Sequence, residues 1–309
     1  MKVFRLCAGL FLALMVFTSR AEAHGIAGKR MFIEPLVTED ANVKNELVLP
    51  SGEFQVFPDG TWRSLGFSLE KSLYPHRLSM ILEGSRIYQH TDTGHLAGWD
   101  NLEMGLKWQG FTNERREFVL SPALFVILPT GSTQLVEHQT SLRPMLLFAK
   151  GFGDLSTGWV RPFAIQGDVG YEASVSGPRD RQLVYDGVLM YSLPYLNHWV
   201  RHADEGYSME HSLRRGFSRG ALFGNLFPFV EFNGATAVNG ALGGTSLAVR
   251  PGVLWMGKYM QVSLAADFPV HAPGMERPHT GASVLVDWFL DEIVPSFSWS
   301  PFGKSRHDD

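Results

Sequence analysis

A two-residue alternation of apolar and polar side chains recurs along most of this 309-residue sequence and limits the folds that it can adopt. In the stretch FAIQGDVGYE, Ile165, Val169 and Tyr171 fall on one parity, whereas Asp168 and Glu172 fall on the other. This is the period of a β-strand with one apolar and one polar face. The fold therefore depends on which of the two faces points into the protein.

About twelve segments are consistent with this period, with boundaries uncertain by a few residues. The run FVLSPALFVILP at 118–129 is apolar on both parities and alternates least. In rough spans the segments are 45–56, 62–73, 77–89, 98–110, 115–128, 141–149, 159–173, 181–193, 222–233, 244–256, 259–269 and 280–291.

The polar parity of these segments carries many charged side chains, and a closed soluble core could not hold them unpaired. Solvent would receive them outside a β-sandwich, and water would receive them inside a barrel. The twelve segments favour the barrel, so the predicted fold class is all-β, a transmembrane up-and-down antiparallel β-barrel of about 12 strands. The charged residues on this parity are Glu70, Glu83, Glu103, Lys107, Asp168, Glu172, Asp186, Glu231, Arg250, Asp267 and Asp287.

The first 23 residues have the features of a secretory signal peptide. A basic start precedes an apolar run at 6–17, which is too short to span a bilayer, and Ala21-Glu22-Ala23 forms a small-x-small cleavage site before His24. Cleavage leaves 24 basic and 30 acidic of the 27 and 31 in the full sequence, a net charge of −6. It also removes Cys7, the single cysteine, so the mature chain can form neither a disulfide nor a Cys-based metal site. We expect export and residence in the outer membrane of a Gram-negative bacterium.

The gaps between segments suggest an alternation of long outer loops and short periplasmic turns. One long connection, at 194–221, is expected on the periplasmic side. The predicted organisation is a signal peptide at 1–23, an N-terminal segment at 24–43, a barrel at 44–292 and a C-terminal tail at 293–309. The N-terminal segment is not clearly a strand, and we expect it to plug the lumen.

Two short motifs carry a resemblance to a known family. A strand ends in Pro129-Thr130-Gly131, and a glycine-rich turn, Gly151-Phe152-Gly153-Asp154, precedes an alternating strand. In these features the chain resembles the outer-membrane β-barrel family of phenol-degradation meta-pathway and transporter-like proteins. The resemblance implies a barrel and the passage of small apolar or aromatic compounds, and it supplies no catalytic or binding residues. The chain departs from many outer-membrane barrels in continuing past its last strand.

The leading functional hypothesis is an outer-membrane channel or transporter for small solutes, because twelve strands enclose only a narrow lumen. Outer-membrane lipid, a small-molecule solute and the outer-membrane assembly machinery are the expected partners. The sequence has no basic cluster interleaved with aromatic residues, so nucleic acid is not an expected partner. No cofactor is expected. An acidic excess in the lumen would disfavour anions. The residues expected to line the lumen are Glu103, Lys107, Asp168, Glu172, Asp186, Glu231, Arg250 and Asp267.

The sequence also offers three further hypotheses. Metal binding has only weak candidates, His24 at the new N-terminus and the pair His198 and His202, which would share a face if 195–204 were helical. A lipid hydrolase built on a barrel would need a serine and a histidine, and Ser212 next to His211 lies in the long connection without a Gly-x-Ser-x-Gly motif. A soluble periplasmic ligand-binding β-protein is the third alternative.

Overall fold

The computed structural model describes residues 25–57, 60–92, 94–136, 138–176, 181–200, 223–239, 244–271 and 280–303. The predicted signal peptide at 1–23, His24 and residues 201–222 of the long connection lie outside these described residues. The strands within them are β1 Ile26–Ala27, β2 Arg30–Met31, β3 Glu46–Phe57, β4 Gly60–Tyr74, β5 Leu78–Thr91, β6 Gly94–Trp99, β7 Leu102–Trp108, β8 Phe111–Asn113, β9 Phe118–Leu128, β10 Ser141–Gly151, β11 Phe163–Ser174, β12 Arg181–Tyr191, β13 Leu226–Asn239, β14 Thr245–Met256, β15 Met260–His271 and β16 Thr280–Phe289.

Strands β3 to β16 close into an antiparallel barrel with twelve strand positions, while β1 and β2 pair with each other in a separate hairpin. Neighbours in the chain pair in order from β3 to β16, and β16 pairs back to β3 through a register that runs from Thr280 opposite Val56 to Phe289 opposite Glu46. Strands β6, β7 and β8 follow one another along a single position between β5 and β9. The predicted fold class, an up-and-down antiparallel barrel of about 12 strands, is confirmed. Closure leaves no sheet edge unpaired.

The two faces of the wall differ in polarity as a membrane barrel requires. On β15, Leu264 is 55 % exposed on the outside while Asp267 is 4 % exposed on the inside. On β11, Val169 is 43 % exposed and its neighbour Asp168 is 3 % exposed. The apolar parity thus covers the outer surface and the polar parity faces the enclosed space, which is the reverse of a soluble sandwich.

The barrel has two distinct ends. The chain enters β3 and leaves β16 at the terminal end, and the opposite end is called the open end below. The connections at the open end are 58–59, 92–93, 129–140, 175–180, 240–244 and 272–279. The connections at the terminal end are 75–77, 114–117, 152–162, 192–225 and 257–259.

The expected alternation of long and short turns holds only in part, because both ends carry connections of each kind. The sequence predicted a long polar gap after the third segment, yet β5 and β6 continue as a hairpin joined by residues 92–93. Both faces of this hairpin are largely exposed, so polar side chains are tolerated on both parities and the alternation disappears while backbone pairing continues.

Helical structure in the described residues is limited to short turns. Examples are Leu193–Tyr195 at the start of the long connection and Leu290–Ile293 directly after β16. Within the described ranges, no helix has both the length and the apolar character needed to cross a membrane.

Candidate functional site: the barrel interior

The N-terminal segment, predicted at 24–43, extends in the structure over the described residues 25–45 up to the start of β3, and it lies inside the barrel. It bonds to side chains on β4, β7, β9, β11, β13 and β15, which surround the enclosed space from opposite sides. Most of the segment is buried, and Met31, Phe32 and Ile33 pack into a cluster of apolar side chains whose members lie mainly toward the terminal end. The segment thus fills part of the lumen with protein.

The segment is anchored at the terminal end through Arg30, whose side chain is fully buried. Its guanidinium pairs with Glu117, with 3.3 Å between Nε and Oε2, and donates to the carbonyl oxygens of Arg161 and Pro162. It also stacks on Tyr195, with Cζ 3.8 Å from the ring centroid. Burial lowers the pKa of Arg30, and the carboxylate of Glu117 opposes that shift. The guanidinium remains charged and holds three terminal-end connections together.

Glu117 is the acceptor that organises this anchor. The Tyr195 hydroxyl donates to Glu117 Oε1 at 2.7 Å, and the backbone N–H of Gly153 donates to Oε2 at 3.0 Å. Burial, followed by the nearby negative charge, raises the pKa of Tyr195, so the phenol is a neutral donor. A Cβ at Gly151 would meet Glu117 Oε2 at 2.2 Å, and one at Gly153 would meet the Tyr195 hydroxyl at 2.0 Å. The glycine-rich turn found in the sequence therefore makes room for the anchor.

At the point farthest from the terminal end, the segment is held by two carboxylates of the wall, Glu231 and Asp168. Glu231 on β13 accepts hydrogen bonds from the backbone N–H groups of three successive residues: Leu36 at 3.0 Å, Val37 at 2.9 Å and Thr38 at 2.6 Å. It also accepts from the Thr38 hydroxyl at 2.7 Å. Asp168 on β11 accepts from the N–H of the next residue, Glu39, at 2.8 Å. Charged acceptors make stronger bonds than neutral ones, so this turn is firmly seated.

The segment returns to β3 along β4, β7 and β9. Lys107 Nζ donates to the carbonyl oxygen of Asp40 at 2.9 Å and pairs with Glu70 at 2.8 Å. The Ser121 hydroxyl donates to the carbonyl oxygen of Ala41. The Lys44 ammonium is buried and pairs with Glu34 at 2.7 Å, with Glu46 at 3.3 Å and with Asp40. Nearby carboxylates raise the pKa of Lys44 against the effect of burial, which keeps it charged.

A cavity of 460 Å³ lies between the segment and the open end, and it is called the vestibule below. Val37 and Glu39 of the segment form part of its lining. Arg143 lies between Glu103 and Glu172, with 3.4 Å to the latter. Arg250 lies between Glu53 and Asp267, with 3.0 Å to the latter. The charged side chains in and around the vestibule are Glu39, Glu53, Glu83, Glu103, Glu172, Asp186, Asp267, Arg143 and Arg250.

The eight residues that the sequence placed in the lumen fall into two groups. Lys107, Asp168 and Glu231 contact the N-terminal segment. The other five do not bond to the segment. Glu103 and Glu172 pair with Arg143, Asp267 pairs with Arg250, and Asp186 accepts from the side chain of Asn233 at 3.0 Å; these five are Glu103, Glu172, Asp186, Arg250 and Asp267.

Sequence reasoning missed several interior residues. Arg143 lies on the same face of β10 as Met145 and Leu147. Because that face is mostly apolar, the alternation of polar and apolar residues does not identify Arg143 as an interior residue. Glu53 was hidden by a register irregularity between Val48 and Ser51, after which the inward parity of β3 changes. The polar parity of β11 and β15 also contained Gln166 and Gln261, which donate to the carbonyl oxygens of Ile33 and Glu34. These two amides are uncharged, so a selection of charged residues on the polar parity does not include them.

The weak metal and hydrolase candidates remain predictions. His24, His202, His211 and Ser212 lie outside the described residues, as does the side chain of His198. In the part of the chain that the structure covers, no three His, Cys, Asp or Glu side chains are grouped to hold a metal ion.

Comparisons with known proteins point to the fold. No protein-family model matches the chain, and no curated protein matches it either. The solved structure of an outer-membrane channel from Pseudomonas putida F1 shares 11% identity, with a TM-score of 0.54 over 83% of this chain and 99% of that one. The NanC porin shares 7% identity, and the match covers 78% of this chain and 98% of that one with a TM-score of 0.47. LpxR from Salmonella typhimurium shares 11% identity, and the match covers 79% of this chain and 99% of that one with a TM-score of 0.44. The likeness to the Pseudomonas putida channel supports the same barrel fold.

Proposed function

We propose that this chain is an outer-membrane channel for small solutes, in which the lumen is the conduction path and the N-terminal segment closes it toward the terminal end. The observation that carries the proposal is the charged interior. A barrel that served only as a scaffold could fill its interior with apolar side chains, as this one does near the terminal end. Here the half next to the open end holds a vestibule surrounded by ionisable side chains, with seven carboxyl groups and two arginines.

The bonds between the wall and the N-terminal segment support its role as a removable plug. They are mainly hydrogen bonds between wall side chains and backbone groups of the segment, which donate to Glu231 and Asp168 and accept from Lys107. Water can replace such bonds at small net cost, because each contributes only about 0.5–3 kcal/mol. The segment has no backbone pairing with the wall strands in the described residues. It can therefore leave without opening the barrel.

Charge around the vestibule supports a preference among solutes. Seven carboxylates face two arginines there, and each arginine already lies between two of the carboxylates. The remaining negative charge attracts cations and repels anions in a narrow, low-dielectric passage. Small cationic or neutral solutes fit this lining. Passage of apolar or aromatic compounds rests on the family resemblance alone.

The proposed location is the outer membrane of a Gram-negative bacterium, after cleavage of the signal peptide before His24. The apolar outer surface and the barrel fold support it. Insertion would then depend on the outer-membrane assembly machinery, with outer-membrane lipid in contact with the wall.

Ion selectivity in a planar bilayer tests this function. With a KCl gradient across the bilayer, we expect currents whose reversal potential shows that K⁺ permeates better than Cl⁻. The double variant Glu103→Gln with Asp186→Asn should shift the permeability ratio toward Cl⁻ several-fold, because two charges leave the vestibule. Asp154→Asn is the control, since Asp154 is exposed in a terminal-end connection and pairs with Lys150. Absence of current, or anion preference in the unmodified protein, would contradict the proposal.

A further inference from the structure

Two arginines project from the outer, apolar face of the barrel. Arg63 on β4 shares the outward parity of Leu65, and Arg86 on β5 shares that of Tyr88 and Met80. Both side chains are exposed, and both lie near the open end, three residues into β4 and five residues from the end of β5. A charge on a lipid-facing wall is costly at the bilayer midplane and tolerated near the interface. Their position places both arginines at the interface on the open-end side.

Neither arginine has an acidic partner. Among the described residues, no salt bridge and no side-chain hydrogen bond involves Arg63 or Arg86. Their guanidinium groups lie instead over aromatic rings, with Cζ of Arg63 5.1 Å from the Phe54 centroid and Cζ of Arg86 5.4 Å from that of Tyr88. Aromatic faces orient the guanidinium groups while leaving their N–H donors available.

The two arginines are close enough to share one anion. Arg63 pairs with Tyr88 across the β4–β5 ladder, and Leu65 pairs with Arg86, so the arginines are diagonal neighbours on one face. Diagonal neighbours in an antiparallel pair are about 7–8 Å apart, within reach of long side chains. Two guanidinium forks at this spacing can both donate to a tetrahedral phosphate, which offers several acceptor oxygens.

An apolar groove lies beside them on the same outer face. It has a volume of 1130 Å³ and crosses β14, β15, β16, β3 and β4. Its floor is made by small outward residues, Gly52, Ala266 and Ala282, and its sides by larger ones such as Leu65 and Leu264. Arg63 is part of the lining at one side, and the stacked rings of His90 and His95 lie above it toward the open end.

We propose that this surface binds a phosphorylated lipid of the membrane leaflet that faces the open end. Arg63 and Arg86 bind the phosphate of the headgroup, and the groove over Gly52, Ala266 and Ala282 holds an acyl chain. A basic pair at the interface with an apolar groove next to it matches a lipid that has its phosphate at the same depth. The inference rests on the outer-membrane setting of the barrel and does not require that the barrel conducts.

Binding of purified lipopolysaccharide to the detergent-solubilised barrel, followed by native mass spectrometry, tests the proposal. The double variant Arg63→Gln with Arg86→Gln should bind at least about tenfold more weakly, since loss of even one charge-assisted hydrogen bond changes an equilibrium constant by about that factor. Arg181→Gln is the matched control, because Arg181 is an exposed arginine near the open end of β12, on the opposite side of the barrel. It should bind like the unmodified protein.

Three further arms identify what is bound. Dephosphorylated lipopolysaccharide should bind the unmodified protein as weakly as the intact lipid binds the double variant. Inorganic phosphate at millimolar concentration should not displace the lipid, because the acyl chain contributes to binding. Ala282→Leu, which narrows the groove, should weaken binding while both arginines remain. Equal binding of the dephosphorylated lipid, or displacement by inorganic phosphate, would overturn the proposal.

Folding is checked for every variant by heat-dependent mobility on gels. If the glutamine double variant does not fold, Arg63→Lys with Arg86→Lys keeps both charges and removes the planar forks, and it should bind more weakly than the unmodified protein. Unchanged binding by whichever double variant folds, or an equal loss in Arg181→Gln, would overturn the proposal. Glu231→Gln, which alters the interior, should bind normally, so failure of the channel function and failure of this site can be told apart.

Discussion

Glu231 illustrates how a single side chain can position a whole segment. Its two oxygens accept four hydrogen bonds from Leu36, Val37 and Thr38, and three of the four come from successive backbone N–H groups. An ionised carboxylate is suited to this task because it offers about four acceptor sites and no donor. Without Glu231, the buried N–H of Thr38 would lose this partner.

Replacing Glu231 with Gln should favour release of the N-terminal segment. The amide keeps one acceptor oxygen and loses the charge, so the seated state loses at least about 1.5 kcal/mol, a factor of about ten in the equilibrium. Single-channel recordings should show a higher open probability. Glu172→Gln is the matched control, since Glu172 bonds to Arg143 and not to the segment. Equal gating in the two variants would show that Glu231 does not hold the closed state.

At the same scale, regular alternation is what led the sequence to predict charged residues in the lumen. Asp168 and Glu231 were predicted to face the lumen and both contact the N-terminal segment. Arg143 could not be found in this way, because the inward parity of β10 is otherwise mostly apolar. The physical reason is that part of this lumen is filled with protein rather than water. Inward residues then obey the rules of a packed core.

The strand β9 shows the same effect for a whole element. Its sequence is apolar on both parities, which made it the least convincing strand in the sequence. Its outward residues face lipid, while inward residues such as Val119 and Phe125 belong to the buried apolar cluster. Strands whose two faces meet lipid and a packed interior lose their alternation. The period could therefore predict twelve strands but not where the lumen is filled.

The short helical turn after β16 carries a buried acid with consequences for stability. Asp291 is 7 % exposed, and no side chain among the described residues donates a hydrogen bond to its carboxyl oxygens. Burial raises its pKa to about 8, and the nearby backbone N–H groups of Asp291 and Glu292 and the ammonium of Lys71 only partly oppose this shift. The folded state therefore holds a proton that the unfolded chain releases near pH 4.

This difference predicts that stability declines as the pH rises. Between about pH 4 and pH 8 the folded state binds one proton more, so the free energy of unfolding should fall by up to about 1.4 kcal/mol per pH unit and level off above pH 8. Urea unfolding in lipid vesicles measures it. Asp291→Asn should flatten the dependence and raise stability at pH 8, whereas Asp154→Asn should leave the slope unchanged. A slope unaffected by Asp291→Asn would mean that Asp291 is ionised in the folded barrel.

On the scale of the whole molecule, the barrel wall and the N-terminal segment are held by different kinds of interaction. The wall is a continuous ladder of backbone hydrogen bonds that separates lipid outside from charged groups inside. The segment joins it through side chains and through the Arg30 anchor at the terminal end. A rigid wall with a separately held segment is an arrangement in which closure can change while the fold does not.

Cys7 is the single cysteine of the sequence, so two cysteines can be introduced into residues 24–309 without a competing thiol in that range. Thr38→Cys lies on the N-terminal segment and Glu231→Cys on the wall, at positions whose side chains bond at 2.7 Å in the native protein. A short reducible cross-linker between the two thiols would hold the segment in the lumen. Reduction would free it, and the Glu231 contact that normally retains it would be absent.

The current through this double variant in a planar bilayer, before and after reduction, is the most direct test of a lumen closed by the N-terminal segment. We expect a small conductance in the cross-linked protein and a large increase when reductant cleaves the link, with no change in the unmodified protein under the same treatment. The same current in the cross-linked and reduced states would contradict the account, because the segment would then not control the path through the barrel.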